Sequence, residues 1–253
     1  MRVFLTGATS GIGEALARQY AGLGATLGLV ARRAHELERV AATLQPAEVA
    51  IYPADVRDAS AMAAAAADFC ARFGTPDIVI ANAGVSRGTL TEIPDDLPAF
   101  QAVFDTNVMG VINTFAPFAA TMRHERHGTL VGVASVAGFR GLPGAGAYSA
   151  SKAALITYLE SLRIEFHDSG VAVVTICPGF VATPLTARNP YRMMFILQPD
   201  RAAQLMARAI ARQQKFYVMP WQVAWIGRLL RVLPRWLFDP VMAGRKRKPR
   251  HVD

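Results

Sequence analysis

Short apolar runs alternate with longer amphipathic segments along most of this chain. The runs have the length and composition of buried β-strands, and the longer segments have the three- and four-residue apolar spacing of helices. The predicted strands span residues 2–6, 25–31, 47–52, 77–81, 128–134 and 171–176. The predicted helices span residues 14–23, 34–44, 59–72, 96–124 and 147–168, with the fourth interrupted or bent at Pro117. This alternation predicts an α/β fold with a single doubly wound parallel sheet, Rossmann-like, over residues 1–220.

Three glycines, Gly7, Gly11 and Gly13, lie between the first predicted strand and the first predicted helix. Small residues there let the backbone approach a pyrophosphate, and the helix N-terminus offers N–H groups and a positive dipole end. The spacing is Gly-x-x-x-Gly-x-Gly rather than the commoner Gly-x-Gly-x-x-Gly. In this strand–turn–helix context it predicts a dinucleotide site, and the alternative is a plain tight turn.

Two arginines, Arg32 and Arg33, follow the second predicted strand. In a dinucleotide-binding fold the end of this strand meets the adenosine ribose. An acidic residue there binds the free 2′-hydroxyl of NAD, whereas an arginine accommodates the 2′-phosphate of NADP. Residues 30–33 include no acid. The pair therefore favours NADP(H) and leaves NAD(H) open; the alternative is that both arginines are solvated residues before the next helix.

A Tyr and a Lys lie four residues apart in the fifth predicted helix, and a Ser follows the apolar run before it. Residues at this spacing share one helix face, so Tyr148 and Lys152 are predicted neighbours. A phenol titrates near pH ~10, and a nearby ammonium lowers that pKa. With Ser135 holding a carbonyl oxygen at the phenol, the set would move a proton on or off oxygen while another group moves a hydride. A Tyr and a Lys on an ordinary half-exposed helix would have the same spacing.

Composition and charge narrow the class of protein. With 253 residues, 52% of them hydrophobic, the chain is long enough for one large α/β domain. Cys70 and Cys177 lack metal-ligand spacing, so no metal is expected and a reduced, cytoplasmic protein is the simpler interpretation. Of the net charge of +8, +6 lies in residues 221–253. Because this excess belongs to the C-terminus, the fold as a whole is not expected to bind nucleic acid.

Residues 221–253 form a C-terminal extension of the predicted catalytic domain. Its apolar residues, with Arg228, Arg231 and Arg235 on one face, predict a basic amphipathic helix, and residues 244–250 predict a disordered basic tail. Such a helix fits packing on its own domain over the substrate pocket or a position across a subunit interface. It also fits a position on a membrane surface, which would make the protein peripheral to a membrane.

These motifs together resemble those of the short-chain dehydrogenase/reductase family over residues 1–220. The residues that carry the resemblance occur in the family's order along the chain. They are the glycine motif Gly7, Gly11 and Gly13; the fourth-strand motif Asn82, Ala83 and Gly84; the catalytic tetrad Asn107, Ser135, Tyr148 and Lys152; and the nicotinamide segment Pro178, Gly179, Val181 and Thr183.

The resemblance implies hydride exchange between a nicotinamide cofactor and a carbonyl/alcohol pair. Tyr148 would donate or accept the proton, and Ser135 would hold the oxygen. Lys152 would hydrogen-bond the nicotinamide ribose and lower the pKa of Tyr148. Asn107 would bend its helix to hold a water linked to Lys152; its other interpretation is a hydrogen-bonded structural asparagine.

The resemblance also implies the remaining contacts and the assembly. The contacts are Thr9, Ser10 and Ile12 with ribose and phosphates, Asp55 and Val56 with adenine, Asn82 as a tie between strands, and Val181 and Thr183 with the carboxamide. Substrate-facing residues are expected at 86–92, 136–142 and 185–197, where 193–197 is either a flexible apolar lid or a helix packed on the core. A homodimer or homotetramer through the two longest helices is expected.

The sequence thus predicts an NADP(H)-dependent carbonyl reductase or alcohol dehydrogenase. Apolar C-terminal additions like this one accompany lipid-handling members of the family, which favours an apolar or lipid-like substrate. One alternative is a 3-oxoacyl-thioester reductase. Another is a sensor or scaffold that binds NADP(H) without turnover, against which the complete set Asn107, Ser135, Tyr148 and Lys152 argues, since binding alone needs no proton donor.

Overall fold

A parallel seven-stranded sheet forms the centre of the protein. The structure is a computed structural model that describes residues 1–187, 189 and 193–250. The strands are β1 (Arg2–Thr6), β2 (Thr26–Ala31), β3 (Val49–Pro53), β4 (Ile78–Ala81), β5 (Thr129–Val133), β6 (Ala172–Pro178) and β7 (Phe216–Met219). Their order is β3-β2-β1-β4-β5-β6-β7, with every neighbouring pair parallel. The predicted doubly wound Rossmann-like fold is therefore confirmed.

Helices cover both faces of the sheet and enclose two apolar clusters. They are α1 (Gly11–Ala21), α2 (Ala34–Ala42), α3 (Ala59–Phe73), α4 (Leu97–Phe104), α5 (Gly110–Glu125), α6 (Gly146–Glu165), α7 (Pro184–Ala187), α8 (Pro199–Ala211), α9 (Trp221–Val232) and α10 (Arg235–Ala243). One cluster includes Leu16 and Met206 from α1 and α8, and the other includes Phe69 and Phe118 from α3 and α5. Both faces of the five inner strands are largely buried, which explains their near-continuous apolar sequences.

The predicted long helix over 96–124 is interrupted around Asn107, where the family resemblance implied a bend, and not at Pro117. A π-helical turn, Asp105–Met109, separates α4 from α5, and α5 continues through Pro117. The buried side chains of Phe115, Phe118 and Met122 hold α5 on the sheet. This packing outweighs the hydrogen bond that Pro117 removes.

Two further elements complete the edge of the sheet next to β6. The sequence pattern alone did not predict β7, which has four residues of which only Met219 is buried, or α8, which packs on α1. Short, half-exposed edge strands have little of the period-two signal on which strand prediction depends.

The C-terminal extension forms two helices and not one, because Pro234 ends the first of them. Both helices pack on the rest of the domain. The guanidinium of Arg140 donates to the carbonyls of Leu230 and Leu233, each at 2.8 Å, and lies 4.0 Å from the ring centroid of the buried Phe238. Arg231 lies over the Phe139 ring at 4.1 Å, so the three arginines of the predicted basic face are not all directed away from the domain.

Residues 245–250 have no regular secondary structure, yet they contact two loops of the domain, in contrast to the predicted disordered tail. None of the helices within residues 1–187, 189 and 193–250 is long and apolar enough to cross a membrane.

Candidate active site

A cleft of about 330 Å³ opens where the strands end at their carboxyl termini. Gly7 and Gly11 line it with φ angles of +70° and +56°, a left-handed backbone conformation that residues other than glycine rarely adopt. A Cβ on Gly7 would lie 2.8 Å from the Cα of Ala83, and one on Gly11 would lie 2.8 Å from Cγ2 of Thr183. Both positions therefore require glycine, because the turn packs closely on Ala83 and Thr183 at the edge of the cleft.

The N-terminus of α1 adds hydrogen-bond donors to this space. Ser10 precedes the helix in an extended conformation, and its side chain makes no capping hydrogen bond. Ile12 and Gly13 also line the cleft. A helix N-terminus with backbone N–H groups directed at a cleft is suited to phosphate oxygens.

The adenosine end of the cleft combines two exposed arginines and one paired carboxylate. Arg32 and Arg33 follow β2, while Asp55 and Val56 follow β3, and all four line the cleft. The Asp55 carboxylate pairs with Arg57 at 2.7 Å, and this interaction holds the Asp55 pKa below its usual value. Neither arginine has a carboxylate partner among the residues that the structure describes.

Asn82 joins the carboxyl ends of β1 and β4 beside the cleft. Its Nδ2 donates to the carbonyls of Thr6 and Gly7 at 3.1 and 3.2 Å. The Thr6 hydroxyl in turn accepts the backbone N–H groups of Asn82 and Ala83, each at 3.2 Å. These bonds fix the glycine turn against the fourth-strand motif, whose Gly84 also lines the cleft.

Ser135, Tyr148 and Lys152 lie together on the wall of the same cleft. Ser135 follows β5, and its Oγ accepts the N–H of Ala137 at 3.1 Å, which leaves the hydroxyl proton free to donate to another oxygen. Tyr148 and Lys152 occupy successive turns of α6, with the Lys152 Nζ 5.9 Å from the Tyr148 ring centroid. The cleft thus holds a hydroxyl donor, a phenol and an ammonium.

The Lys152 ammonium is buried, and its Nζ donates to the carbonyl of Val133 at 2.8 Å. Desolvation lowers the pKa of Lys152 to about 8. At pH 7 the group is still predominantly charged, and its N–H groups beyond the one used by Val133 can donate to a ligand in the cleft.

Among the residues predicted for catalysis or cofactor binding, Asn107 is the one that does not line the cleft; the predicted substrate-facing segments 86–92 and 136–142 do not line it either. It lies fully buried in the π-helical turn, where its Oδ1 accepts the N–H of Val85 at 2.9 Å. Its Nδ2 donates to the Val85 carbonyl and the Ser151 hydroxyl, both at 3.0 Å. A Cβ on Gly84 would lie 3.2 Å from Asn107 Oδ1 and 3.5 Å from Lys152 Nζ. Asn107 therefore supports the cleft from behind Gly84.

The last part of the cleft wall follows β6. Pro178, Gly179, Val181 and Thr183 line the cleft, as do Leu185 and Thr186 of α7, which the sequence motifs did not single out. The Thr186 hydroxyl donates to the Val181 carbonyl at 2.5 Å and accepts the Thr183 N–H at 3.1 Å. Thr183 precedes α7 and Thr186 is the third residue of that helix, so this bond is the reach-back of a capping box. A pair of Ser/Thr residues at this spacing is a signal that can be found in sequence.

The segment predicted as either a lid or a core helix does not form a helix. Residues 193–196 form a turn in which Met194, Phe195 and Ile196 are exposed, and Leu197 forms a bridge with Val181 at the cleft. Exposed apolar side chains beside a cleft agree with the lid alternative. Residues 188 and 190–192 of the predicted substrate-facing segment lie outside the described residues.

The residues of the cleft fit a nicotinamide dinucleotide. The glycine turn and helix N-terminus suit a pyrophosphate, the arginines suit an acidic group at the ribose, and the Ser–Tyr–Lys set provides donors at the opposite end. The fold and the cleft define a dinucleotide-dependent oxidoreductase.

The comparisons with known proteins agree with this class. Residues 1–192 match the family model of the short chain dehydrogenases. The chain is 40% identical over 237 residues to an uncharacterized oxidoreductase of Myxococcus xanthus, and the alignment covers 93% of this chain and 93% of that protein. It is 34% identical over 241 residues to 11-beta-hydroxysteroid dehydrogenase-like 2 of Arabidopsis thaliana, covering 92% of this chain and 77% of that protein. The short chain dehydrogenase/reductase of Burkholderia phymatum in complex with NAD has a TM-score of 0.82 and 26% identity, covering 100% of this chain and 98% of that chain.

The chain therefore belongs to the short-chain dehydrogenase/reductase family. It is an oxidoreductase that acts on an alcohol/carbonyl pair with a nicotinamide cofactor.

Proposed function

We propose that this protein is an NADP(H)-dependent carbonyl reductase, or the matching alcohol dehydrogenase, for an apolar or lipid-like substrate. The observation that carries the proposal is the convergence of Ser135, Tyr148 and Lys152 on a cleft with a glycine turn at its other end. The exposed Met194, Phe195 and Ile196 near this cleft support an apolar substrate.

In this proposal the protein's own residues hold the substrate oxygen and supply its proton. The nicotinamide, when bound, supplies the hydride. Ser135 donates its hydroxyl proton in a hydrogen bond to the substrate carbonyl oxygen, because its Oγ already accepts the Ala137 N–H. Tyr148 transfers its phenolic proton to the same oxygen as the carbonyl is reduced. In the oxidative direction the Tyr148 phenolate accepts that proton.

Lys152 favours the ionised form of Tyr148. An ammonium near a phenol stabilises the phenolate and lowers its pKa. The bond to the Val133 carbonyl fixes the direction of the Lys152 side chain, and we assign a second donor of the ammonium to the ribose of the nicotinamide nucleoside. Asn107 acts as a positioning residue through its bonds to Val85 and Ser151.

The remaining assignments follow the lining of the cleft. Thr9, Ser10 and Ile12 contact ribose and phosphates, Asp55 and Val56 contact the adenine, and Val181 and Thr183 bind the carboxamide. Asn82 has a structural role, because its side chain is occupied by the carbonyls of β1 and the glycine turn.

Arg32 and Arg33 are expected to select NADPH over NADH. The double substitution Arg32→Ser/Arg33→Ser removes both charges beside the cleft, and charge-assisted bonds to a phosphate are worth roughly a tenfold change in affinity or more. The dissociation constant for NADPH, measured by quenching of protein fluorescence, is expected to rise by that factor while that for NADH stays unchanged. Arg212→Ser, an exposed substitution that does not line the cleft, is the control. Equal weakening of both cofactors would contradict the assignment.

Turnover separates this proposal from its alternatives. Purified protein is mixed with NADPH and with aldehydes, ketosteroids, long-chain ketones or 3-oxoacyl thioesters, and NADPH oxidation is followed by absorbance. Oxidation with apolar ketones supports the carbonyl reductase, whereas oxidation confined to thioesters supports the 3-oxoacyl-thioester reductase. Tight NADPH binding without turnover of any class supports a sensor.

The C-terminal helices support a peripheral contact with an anionic membrane surface. Trp221, Trp225, Leu229 and Val232 lie on one face of α9 and are exposed, with 63% of Trp225 accessible. Trp236 of α10 is 75% exposed. Exposed tryptophans beside an excess of cations suit the interface of a bilayer.

The double substitution Trp225→Ser/Trp236→Ser is expected to weaken vesicle binding at least about tenfold, because each indole loses apolar burial in the interface. The measurement is co-sedimentation with vesicles of phosphatidylcholine and phosphatidylserine. Leu23→Ser removes an exposed apolar side chain elsewhere on the surface and serves as the control. Wild-type protein that does not co-sediment with the vesicles would contradict the membrane contact and favour packing on the protein's own domain alone. Vesicle binding that the double variant leaves unchanged would contradict the role of the two tryptophans.

A homodimer or homotetramer through the long helices is also supported by exposed apolar side chains. Phe100 stacks on Phe104 in α4 with ring centroids 5.2 Å apart, and Met109 and Ile164 are exposed on neighbouring elements. These groups would be covered in an assembly that pairs α4, α5 and α6 with those of a second copy.

A further inference from the structure

The last described residues, 247–250, lie against two loops of the domain and come close to Tyr148, and we refer to them as the strap. The strap is held by two ion pairs and one backbone hydrogen bond. Arg247 pairs with Glu92 at 3.4 Å, and Arg250 pairs with Asp96 at 2.8 Å. The backbone N–H of Lys248 donates to the Pro143 carbonyl at 3.2 Å. The strap therefore joins the loop after β4 to the loop before α6.

Two glycines make room for the strap on these loops. A Cβ on Gly144, whose φ is +68°, would lie 2.7 Å from the Lys248 nitrogen. A Cβ on Gly88 would lie 2.8 Å from the Lys248 carbonyl oxygen and nearer still to that of Pro249. The strap backbone therefore packs directly on the backbone of both loops, with no room for a side chain at either glycine.

The Lys248 side chain runs from the strap toward the catalytic residues. Its Nζ donates to the Ser86 hydroxyl and lies 5.4 Å from the ring centroid of Tyr148. Lys152 lies 5.9 Å from the same centroid. Tyr148 thus has two ammonium groups near its ring, one from its own helix and one from the C-terminus.

Lys248 differs from the neighbouring cations of the strap in lacking an ion pair with a described carboxylate. Arg247 and Arg250 each pair with a carboxylate, whereas no described carboxylate forms an ion pair with Lys248. Its side chain is partly buried, and desolvation lowers its pKa. A partly buried ammonium with only a hydroxyl as partner is costly, and an anionic group bound beside Tyr148 would offset that cost.

We propose that Lys248 is a specificity-determining residue that binds a carboxylate or similar anionic group of the substrate. The substrate carbonyl then lies at Tyr148 and Ser135, and the anionic group lies at Lys248 and Ser86. Combined with the apolar lid, this selects an amphipathic oxo acid rather than a neutral ketone. The inference rests on the proposed carbonyl reductase and adds the chemistry of its substrate.

The test compares matched charged and neutral substrates. A series of aliphatic oxo acids, in which the ketone is placed at increasing distance from the carboxylate, is assayed beside the corresponding methyl esters by NADPH oxidation. Wild-type protein is expected to prefer the acid at one spacing by about tenfold or more in kcat/KM, the size of a charge-assisted hydrogen bond. A wild type that reduces esters and acids equally would contradict the inference while leaving the carbonyl reductase intact. No turnover of either series, with turnover of other ketones, would also contradict the inference, whereas no turnover of any carbonyl class would contradict the proposed function.

Substitutions on the strap identify the residue responsible. Lys248→Gln is expected to lower the ratio of kcat/KM for the acid to that for its ester about tenfold, because an effect on Tyr148 would act on both substrates alike and cancel in the ratio, and Lys248→Arg is expected to retain the preference. Lys246→Gln removes the same charge from an exposed neighbouring position and should behave as the wild type. NADPH affinity of each variant confirms that it is folded.

A substitution that displaces the strap tests the role of Lys248 without changing Lys248 itself. Gly88→Ala adds a methyl group against the strap backbone and leaves Lys248 itself in place in the sequence. It is expected to lower the acid preference in the same direction as Lys248→Gln. If either substitution instead raised kcat/KM for acids and esters alike, the strap would be an inhibitory cover and the specificity role would be overturned.

Discussion

Tyr148→Phe is expected to lower kcat for carbonyl reduction by about a thousandfold, within the range that general acid catalysis contributes. The substitution removes one oxygen from a residue that lines the cleft and retains the ring between Lys152 and Lys248. Because phenylalanine has no proton to give, the oxygen of the reduced carbonyl must take its proton from water. The affinity for NADPH is expected to stay within about twofold, since the loss lies in the transition state rather than in cofactor binding.

The measurements are steady-state NADPH oxidation and NADPH titration on the same preparation. Tyr158→Phe, on the same helix α6, makes the same chemical change at a position that does not line the cleft, and it should retain full activity. A Tyr148→Phe variant that reduces ketones at the wild-type rate would remove the phenol from the mechanism. A variant that loses NADPH binding together with turnover would show that the hydroxyl acts on the cofactor instead.

Gly11→Ala is expected to weaken NADPH binding at least about tenfold. The added Cβ would lie 2.8 Å from Thr183 Cγ2, so the glycine turn or Thr183, both of which line the cleft, has to shift. The left-handed φ of +56° adds backbone strain of roughly 1–2 kcal/mol in unfolding free energy. Two effects therefore occur in one variant, and they have to be separated.

Gly24→Ala separates them, because Gly24 has a similar φ of +73° with no atom within 4 Å of its Cβ. Both variants are expected to lose thermal stability, measured by calorimetry, with the larger loss in Gly11→Ala because of its contact with Thr183. Only Gly11→Ala is expected to lose NADPH affinity, measured by titration. Equal NADPH affinities would mean that the glycine turn does not approach the cofactor. A larger loss of affinity in Gly24→Ala would contradict the position of the cleft.

The sequence predicted the sheet and the cleft well because each signal was local and repeated. A buried parallel strand is an apolar run, and six of the seven strands have one. The glycine turn was predictable because strand, glycines and helix are contiguous. Tyr148 and Lys152 were predictable because a helix converts a four-residue spacing into a shared face.

The features that the sequence pattern did not show depend on contacts between distant residues. The π-helical turn at Asp105–Met109 forms where Asn107 bonds to Val85 and Ser151, far from it in sequence, and only the family resemblance implied a bend at Asn107. Lys248 belongs to a basic segment whose composition is typical of a disordered tail. Its place beside Tyr148 follows from the pairing of Arg250 with Asp96, which composition does not reveal.

Transfer of deuterium from NADPH to product tests the central claim most directly. NADPH with deuterium at both C4 positions is incubated with the protein and an apolar ketone, and the alcohol is examined by mass spectrometry. We expect a single deuterium on the carbinol carbon with wild-type protein and almost no product with Tyr148→Phe. Tight NADPH binding without a deuterated alcohol, across every carbonyl class tested, would contradict the assignment of this cleft as a carbonyl reductase.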